Sequence, residues 1–285
     1  METQYVLYGD QIIKRDQASI DMEDRGYNFG DGIYEVVYIY GGKPFSMEEH
    51  FKRFAESAAK LEMKLPYTLE TIIDLTVKLI EVNKIHNGIV YIQMTRGASP
   101  RNHLYERDSA CLITGFARKM DPPVQAQENG VKTYLTEDIR WLRCDIKSLN
   151  LLGNTMAKRK AADHGCHEAL QHREGTCTEG SSSNLFIVKN GTLYTHPATN
   201  LILNGITRQH ILTIANEENF DVTEQAFTTD DLLEADEVFI SSTTMEIAPV
   251  IAVTGDKKGT YPIGPITRLL QKKLKEKINQ PTVLN

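Results

Sequence analysis

The chain has 285 residues, of which 41% are hydrophobic and 25% are charged, and its formal net charge is −6. At roughly 150 residues per domain, this length predicts two domains that bury apolar cores without disulfides or a structural metal. The composition excludes a disordered chain, a collagen-like repeat and a disulfide-stapled miniprotein. No apolar run reaches the roughly 18 residues of a membrane-spanning helix, so we expect no membrane association.

The charge balance and the cysteines indicate a cytoplasmic protein that does not bind nucleic acid. A mildly acidic chain lacks the clustered cations that phosphate backbones require. The four cysteines form no C-x-x-C pair and have no histidine at zinc-finger spacing, which favours free thiols: Cys111, Cys144, Cys166 and Cys177. The first residues, METQYVLYGDQ, have neither a basic start nor an apolar stretch, so no signal peptide is predicted.

The N-terminal part begins with predicted strands. Gly-Asp and Gly-Gly dipeptides mark turns between extended runs in YVLYGDQII and IYEVVYIYGGKPF. Ser46 and Glu49 have the spacing of a capping box before an amphipathic helix in FKRFAESAAKLEM. A second helix follows Thr68 and is predicted to end at Asn87-Gly88. Two more strands are predicted in IVYIQMTRG and ACLITGFAR.

The segment 121–123, Asp-Pro-Pro, predicts a linker between a smaller N-terminal α/β domain, residues 1–120, and a larger domain, residues 124–285. Strands and helices mix without strict alternation, which favours an α+β fold. Strands are predicted in VKTYLTED, HEALQH, EVFISSTT and the hairpin NLFIVKNGTLYTH, which turns at Asn-Gly. Helices are predicted in LLGNTMAKRKAADHG, ITRQHILTIANEEN, TTDDLLEAD and GPITRLLQKKLKEKI.

Several common catalytic motifs are missing from the sequence. It has no GxxxxGK[ST], no GxGxxG after a strand, no HExxH and no GxSxG. ATP hydrolysis, nicotinamide chemistry, zinc peptidase and serine hydrolase activities therefore lack their usual support. His164, His167 and His172 are near in sequence but straddle a predicted helix end and a strand, which favours surface histidines, so no metal site is expected.

Lys147 lies in an apolar stretch, DIKSLNLL, between Ile146 and Leu149. A lysine in such a stretch usually keeps its amine in water while its stem packs against apolar groups. An amine that is removed from water can instead lose its proton and become a nucleophile that forms a Schiff base with a carbonyl. Both interpretations stay open for Lys147 on this pattern alone.

A carboxylate and two hydroxyl-rich or helix-start segments follow. Glu179 precedes a glycine and three serines in TCTEGSSSNLF, which is typical of a polar loop or of a carboxylate held by backbone and hydroxyl donors. A carboxylate opposite a pyridine nitrogen keeps that nitrogen protonated. Gly205 precedes Ile206 and Thr207 where a helix opens, and a helix start binds phosphate, although Thr207 could simply be an N-cap. The hydroxyl run Ser241–Thr244 is either a loop or a second donor set.

Five strings in the chain carry a family resemblance: EDRGYNFGDGIYE, WLRCDIKSLNLL, TEGSSSN, THPATNLILNGITR and ISSTTMEI. They resemble the class IV, fold type IV pyridoxal phosphate-dependent aminotransferases, and most of all the bacterial D-amino-acid aminotransferases. The resemblance implies a two-domain α+β fold whose C-terminal domain is β-barrel-like with helices. It also implies pyridoxal 5'-phosphate as cofactor, and amino acids and 2-oxo acids as substrates, with D-alanine donating its amino group to an acceptor such as 2-oxoglutarate.

The resemblance further implies a role for individual side chains. Lys147 is the implied Schiff-base lysine and proton shuttle, and Glu179 is the implied partner of the pyridine nitrogen. The implied phosphate ligands are Arg53 in the first long helix, Ile206, Thr207, Ser242 and Thr243. Spacing alone does not exclude Thr244.

The string RGASPRNH carries the D-specific part of the resemblance. Arg101 and His103 in it, with Tyr34 in GIYE, match the residues that bind the substrate α-carboxylate through charge-assisted hydrogen bonds. In the family this loop reaches the active site of the neighbouring subunit, which implies an obligatory homodimer. Without the resemblance, Ser-Pro-Arg would be read as an exposed turn.

Three alternatives share part of this pattern. Branched-chain L-aminotransferases have the same cofactor machinery, and aminodeoxychorismate lyases have the same fold but eliminate pyruvate. Neither is supported by RGASPRNH. A non-catalytic module that binds a phosphorylated ligand is the third alternative, but it would need neither Lys147 nor Glu179.

Overall fold

A computed structural model describes residues 3–280 of the chain. They form two compact units. The first comprises the residues up to Pro122 together with Ile146–Asn150, and the second comprises Pro123–Asp145 and the residues from Leu151 onward. This division differs from the predicted 124–285 domain in one respect. The short segment that carries Lys147 belongs to the first unit, because its backbone hydrogen-bonds to a strand there.

The first unit is built on one antiparallel sheet with helices. Its strands are β1 (Tyr5–Tyr8), β2 (Gln11–Lys14), β3 (Gly32–Tyr40), β4 (Lys43–Pro44), β5 (Gly88–Thr95) and β6 (Leu112–Lys119). Its helices are α1 (Arg25–Phe29), α2 (Met47–Lys60) and α3 (Leu69–Val82). The strand order is β2-β1-β6-β5-β3-β4. The strands and the two long helices expected from the sequence are confirmed.

The core of this unit lies between the sheet and the apolar faces of α2 and α3. Phe51 and Phe54 of α2 and Leu79 of α3 are completely buried. They pack in one cluster with inward-facing residues of β3 and β5 such as Val37 and Val90. Burying each such side chain contributes about 1.5–3 kcal/mol. The stripe of apolar residues in FKRFAESAAKLEM is therefore the face by which α2 is held on the sheet.

Two helix-end predictions in this unit are wrong. Ser46 is the N-cap of α2, but it lies in the left-handed region at φ 54° and its side chain accepts no capping bond, so no capping box forms with Glu49. Helix α3 ends at Val82 rather than at Asn87-Gly88. Asn83 stops it, because its amide donates to the carbonyl oxygens of Leu79 and Tyr5.

The second unit contains the larger sheet. Its strands are β7 (Val131–Glu137), β8 (Glu168–Arg173), β9 (Thr176–Gly180), β10 (Asn184–Lys189), β11 (Thr192–Thr195), β12 (Val222–Glu224), β13 (Glu237–Ser242), β14 (Glu246–Gly255) and β15 (Gly259–Thr260). Its helices are α4 (Val124–Asn129), α5 (Leu152–Asp163), α6 (Ile206–Glu217), α7 (Thr229–Leu233) and α8 (Pro265–Asn279). The strand order is β12-β11-β10-β13-β14-β7-β8-β9, and β15 pairs with β14.

This sheet mixes parallel and antiparallel pairs, so the α+β class is confirmed. The pairs β11–β12, β14–β7 and β7–β8 are parallel, and the others are antiparallel. The predicted turn between β10 and β11 is also confirmed, since Asn190 and Gly191 both have positive φ, at 51° and 77°. Such a pair matches the twist of the two strands that it joins.

Four strands of this unit were not predicted, namely β9, β12, β14 and β15, and β9 matters for the site. Strand β9 occupies TCTEG, so Glu179 lies on a strand and not in a polar loop. Strand β14 is ten residues long and lies in the middle of the sheet. Its sequence contains Pro249, and a proline normally indicates that a segment is not a central strand. A register shift between Val250 and Ala252 lies next to this proline and interrupts the pairing with β7.

The described residues bear on the cysteines and on membrane-spanning helices. All four cysteines are free, and three of them are buried. No helix in the described part of the chain has the length and apolarity needed to cross a bilayer.

Candidate active site

Lys147 lies on a segment that pairs with the edge of β3 opposite β5. The N–H of Tyr34 donates to the Lys147 carbonyl oxygen at 3.0 Å, and the N–H of Leu149 donates to the Gly32 carbonyl oxygen at 2.9 Å. The Lys147 N–H donates to Ser57 Oγ on α2 at 3.3 Å. Backbone bonds from a strand and a helix therefore fix the position from which the lysine side chain extends.

The Lys147 amine lies over the ring of Tyr34. Its Nζ atom is 4.3 Å from the ring centroid, a cation–π distance, and the Tyr34 ring stacks on Tyr91 at 5.5 Å. Both Lys147 and Tyr34 are half-buried. The structure thus brings together the predicted Schiff-base lysine and one predicted substrate ligand.

Arg53 is on α2, as expected, but it is buried and not solvent-facing. Its Nε and Nη2 atoms donate to the two carboxylate oxygens of Glu35 at 2.7 and 2.9 Å. His50, one turn earlier on α2, places Nδ1 2.7 Å from Glu35 Oε2. Neither Glu35 nor His50 was identified from the sequence. The sequence feature that could have identified Glu35 is its position as a carboxylate within the apolar run GIYEVVYIY.

The charge states of this trio follow from their surroundings. Burial opposes the charge of Glu35, but the Arg53 guanidinium and the His50 bond outweigh it and lower the pKa of Glu35 to about 2. Burial lowers the pKa of His50, so its ring is neutral at neutral pH and Nδ1–H donates to the carboxylate. Arg53 is therefore held in a buried, bidentate ion pair whose geometry is fixed.

Arg101 and His103 meet at the ring of Phe29, the last residue of α1. The Arg101 guanidinium carbon is 5.0 Å from the ring centroid of Phe29, and the His103 ring is 5.5 Å from it. Both side chains are exposed. Within residues 3–280, no hydrogen bond or ring contact joins either of them to Tyr34. The structure therefore groups the two loop residues with each other and groups Tyr34 with Lys147.

In the second unit, Glu179 is a buried carboxylate with three donors. Arg140 Nη1 donates to Oε1 at 2.6 Å, while Asn184 Nδ2 and the Leu203 N–H donate to Oε2 at 2.9 and 3.1 Å. Of the backbone and hydroxyl donors suggested by the sequence for Glu179, the backbone donor is present as the Leu203 N–H, but the neighbouring serines do not bind this carboxylate. Their hydroxyls bind the buried carboxylate of Glu168 instead, with Ser182 Oγ at 2.6 Å.

Burial and a neighbouring guanidinium act on Glu179 in opposite directions. Burial raises the pKa of Glu179, and the Arg140 guanidinium acts against this rise. Arg140 is shared, because its Nε and Nη2 atoms donate to both oxygens of Asp138 at 2.9 and 2.8 Å. Arg173 Nε also donates to Asp138 Oδ2, at 3.2 Å, so two guanidiniums balance the two buried carboxylates.

Helix α6 begins beside Asn184. Gly205 is its N-cap, so the alternative in which Thr207 is the N-cap is wrong; Ile206 and Thr207 are the first two helical residues. A Cβ on Gly205 would lie 2.2 Å from Asn184 Oδ1, so a side chain at this position would displace the amide. Asn184 Nδ2 also donates to the Leu203 carbonyl at 2.7 Å. The first N–H groups of a helix have no acceptor within it, and the anion site expected at the start of α6 stays a prediction.

Ser241 and Ser242 end β13 on the other side of Asn184. Asn184 and Ser241 face each other across the antiparallel pair β10–β13. Ser241 Oγ is fully buried and has no hydrogen-bond partner among the described residues. Ser242 Oγ accepts from the Met245 N–H at 3.1 Å, and Thr243 is half-buried in the following turn. Asn184, which was not identified from the sequence, therefore links Glu179 to both phosphate-type segments.

Two of the three histidines set aside as surface residues make ordinary side-chain contacts. His164 is exposed and its ring stacks on Tyr134 at 4.2 Å, and His172 Nε2 lies 3.0 Å from Asp256 Oδ2. No group of three or more His, Cys, Asp or Glu side chains in the described ranges could hold a metal ion.

Comparison with known proteins gives a consistent set of relatives. The profile of the amino-transferase class IV family matches residues 32–253. A D-alanine aminotransferase of Staphylococcus haemolyticus is 48% identical over 93% of this chain and 95% of its own length. One of Staphylococcus aureus (strain MSSA476) is 45% identical over 98% and 99%. A solved structure of the Escherichia coli branched-chain amino acid aminotransferase superposes with a TM-score of 0.89 at 24% identity, over 96% of this chain and 94% of that one.

Proposed function

This chain belongs to the class IV aminotransferase family, and from that premise we propose that it is a D-amino-acid transaminase. It moves the amino group of D-alanine and other D-amino acids to a 2-oxo acid such as 2-oxoglutarate. The observation that carries the proposal is the 48% identity to a D-alanine aminotransferase over 93% of this chain and 95% of that relative. The likeness to the branched-chain enzyme, at 24% identity, concerns the fold alone.

The cofactor of the family is pyridoxal 5'-phosphate, and three observations indicate that this chain's residues fit it. The half-buried Lys147 has its backbone fixed by a strand and a helix. Glu179 is a buried carboxylate held by Arg140, Asn184 and the Leu203 N–H, which suits it to face a protonated pyridine nitrogen. The hydroxyl of Ser241 is buried without a partner in residues 3–280, beside the strand end proposed to bind phosphate. When bound, the cofactor supplies an aldehyde that exchanges amino groups and a ring that withdraws electrons from the substrate Cα.

Lys147 has two roles in this proposal. Its Nζ atom would hold the aldehyde of a bound cofactor, and its amine would hold and move the substrate α-proton as a general base. Tyr34 keeps the amine in place through its ring, 4.3 Å from Nζ. The same amine would also return the proton after the substrate Cα has lost it. Because one lysine serves both proton transfers, both would take place on the side from which Lys147 approaches.

Glu179 acts through its charge. With Oε1 bound by Arg140 and Oε2 bound by Asn184, the carboxylate cannot rotate away from the group that it faces. A fixed, buried anion keeps a facing pyridine nitrogen protonated without any reorganisation during the reaction. We assign Glu179 this role.

The phosphate ligands are Arg53, the N–H groups and hydroxyl at Ile206 and Thr207, and the hydroxyls of Ser242 and Thr243. Glu35 orients Arg53, because it accepts hydrogen bonds from the Nε and Nη2 atoms of the Arg53 guanidinium, which carries five N–H donors. The start of α6 adds the positive end of a helix dipole. Tyr34 is assigned to the α-carboxylate of the substrate, together with Arg101 and His103 from the neighbouring subunit of the homodimer proposed below.

We propose a cytoplasmic homodimer. Met22 and Tyr27, next to α1 and within it, and Leu104 in the loop of Arg101 are 79%, 77% and 74% exposed, and exposed apolar side chains of this kind are typical of an interface. Four free cysteines are consistent with a reducing compartment. The domains are proposed as the two described units, with 121–123 as the linker at the first passage of the chain between them and Ile146–Asn150 returning to the first unit.

The decisive experiment is a chiral assay on the purified, cofactor-loaded protein. D- and L-alanine and L-leucine are each supplied with 2-oxoglutarate, and the products are resolved on a chiral column. We expect pyruvate and D-glutamate from D-alanine, with L-amino acids turned over at least about a hundred-fold more slowly, a ratio equal to about 2.7 kcal/mol. Faster turnover of L-leucine would favour the branched-chain enzyme, and pyruvate release from aminodeoxychorismate would favour the lyase.

A further inference from the structure

Arg25, in α1, is buried below the loop that carries Arg101 and His103. The name carboxylate loop is used here for residues 97–110. The Arg25 side chain is 4% exposed, and its Nη1 atom donates to the carbonyl oxygen of Asn102 at 2.6 Å. Asn102 lies between Arg101 and His103 in the chain. One buried guanidinium therefore binds the backbone at the point from which both proposed carboxylate ligands extend.

The guanidinium of Arg25 is itself fixed from the opposite side. Its Nε atom donates to Asp31 Oδ2 at 2.9 Å, and Arg96 Nε donates to the same oxygen at 2.9 Å. Arg96 is fully buried, donates to the Leu61 carbonyl at 2.7 Å and lies 3.9 Å over the Tyr105 ring. Two cations share one carboxylate here, so the cluster keeps a net positive charge beneath the loop.

Further bonds tie the beginning of the carboxylate loop to the same stretch of chain. The N–H of Arg25 donates to the Gly97 carbonyl at 2.9 Å, and the N–H of Ser99 donates to the Glu23 carbonyl at 3.3 Å. Phe29 adds a side-chain contact, because Arg25 and Arg101 lie against the same ring, at 4.6 and 5.0 Å. The α1 segment thus contacts the loop at its beginning, at Asn102 and at Arg101.

We propose that Arg25 is a positioning residue for substrate recognition: its bond to the Asn102 carbonyl, with Phe29 beside it, holds Arg101 and His103 where they bind the α-carboxylate. This inference rests on the proposed function, since it concerns the same carboxylate. Arg25 touches neither substrate nor cofactor in this assignment and acts through the loop backbone. Both amino acids and 2-oxo acids carry an α-carboxylate, so the effect extends to both half-reactions.

The test is steady-state kinetics of Arg25→Met with D-alanine and 2-oxoglutarate, with acetate as a competitive inhibitor that reports carboxylate binding alone. The carboxylate is bound from first encounter to product, and losing such uniform binding raises KM more than it lowers kcat. We expect KM for D-alanine, KM for 2-oxoglutarate and the acetate inhibition constant to rise about ten-fold, the factor for one charge-assisted hydrogen bond. The visible absorbance of the bound cofactor should not change.

A mutant cycle with the Arg101→Ala/His103→Ala variant separates positioning from general damage. If Arg25 acts through these two residues, then Arg25→Met should raise KM by less than about two-fold in that background. Arg25→Lys keeps the positive charge but not the fork of donors, and we expect it to give an intermediate KM. Arg159→Met, which removes an exposed arginine paired with Asp163 on α5, is the matched control and should leave KM unchanged.

The results that would overturn the positioning role of Arg25 are specific. Unchanged KM in folded Arg25→Met, or effects that add fully to those of the Arg101→Ala/His103→Ala variant, overturns the positioning role. If Arg25→Met does not fold, Arg25→Lys and Phe29→Leu are measured in the same cycle and the same criteria apply. If Arg101→Ala itself leaves KM for D-alanine unchanged, the carboxylate assignment in the proposed function has failed, which is a distinguishable result.

Discussion

Gly205 and Asn184 are in such close contact that a Cβ on Gly205 would lie 2.2 Å from Asn184 Oδ1. The same amide donates to Glu179 Oε2 at 2.9 Å. The start of α6 and the buried carboxylate are therefore coupled through a single side chain. A small change at the proposed phosphate end should be transmitted to the proposed pyridine end.

This coupling predicts the behaviour of Gly205→Ala. The added methyl group displaces Asn184, which should weaken cofactor binding at least ten-fold, within the cost of about 1–3 kcal/mol for overpacking. The measurement is the dissociation constant of pyridoxal phosphate from absorbance titration of the apo protein. In Asn184→Ala the clash partner is gone, so adding Gly205→Ala to that variant should cost little more. Wild-type affinity in Gly205→Ala would contradict the coupling.

Lys147→Ala should remove both the covalent anchor of the cofactor and the base. We expect turnover of D-alanine to fall to background and the visible band of the bound cofactor to shift to that of the free aldehyde. Stopped-flow absorbance and chiral product analysis measure the two effects. Lys119→Ala, at an exposed position at the end of β6, is the control. A Lys147→Ala protein that keeps most of its turnover would rule out this lysine.

Glu179→Gln keeps the shape of the side chain and removes its charge. Proton removal from D-alanine should slow by about 10²–10³, the range found when one preorganised electrostatic partner is lost, while the cofactor stays bound. Single-turnover rates with α-deuterated and ordinary D-alanine isolate this step. Glu137→Gln, an exposed carboxylate on β7, should behave as wild type. An unchanged rate in Glu179→Gln would disprove the charge role.

Arg101→Ala and His103→Ala test the carboxylate assignment itself. A hydrogen bond to a charged group contributes about 1.5–3 kcal/mol, so Arg101→Ala should raise KM for D-alanine about ten- to a hundred-fold. Some loss of kcat is expected, because a loosely held substrate moves its α-proton away from Lys147. The cofactor spectrum is the control. Wild-type KM in both variants, or loss of cofactor in either, would contradict the assignment of Arg101 and His103 to the carboxylate.

Glu35→Gln tests the buried pair that orients Arg53. The pKa of Glu35, about 2, lies below its ordinary value of 4.5. Its charge therefore stabilises the fold above pH 4.5, and this contribution is lost as the pH falls towards 2. Glu35→Gln should lower the free energy of unfolding at pH 7 by about 3–5 kcal/mol, because one buried charge loses its partner. Urea unfolding at pH 7, 4.5 and 3 should show a smaller loss of stability on acidification in the variant than in the wild type.

Local patterns predicted the elements well where one physical rule dominated. The apolar stripe of α2 and the Asn-Gly turn before β11 follow from periodicity and turn chemistry alone. Local patterns gave wrong element bounds where a contact with a residue distant in the sequence determined the structure. Helix α3 stops because Asn83 binds Tyr5, which is 78 residues away, and no local signal encodes that bond.

The candidate site divides in the same way. Lys147 and Glu179 were identified from the sequence with the help of the family resemblance, and both have surroundings suited to their assigned roles. The residues that hold them were missed: Glu35, His50, Asn184 and Arg140. Each is a common polar residue in an unremarkable string, and its importance lies in a partner that only the folded backbone brings near, such as Glu35 on β3 for Arg53 on α2.

The short excursion of the chain at Ile146–Asn150 has a consequence for the order of synthesis. During translation the residues up to Pro122 leave the ribosome before the stretch that pairs with Gly32 and Tyr34 has been made. The edge of β3 at these residues stays uncovered until about thirty more residues have emerged, an interval of a few seconds at 5–20 residues per second. Without that later stretch, the first unit lacks the backbone bonds that Gly32 and Tyr34 make to it. Its last backbone bonds form together with the arrival of Lys147, so the nascent first half is completed only when the reactive lysine reaches it.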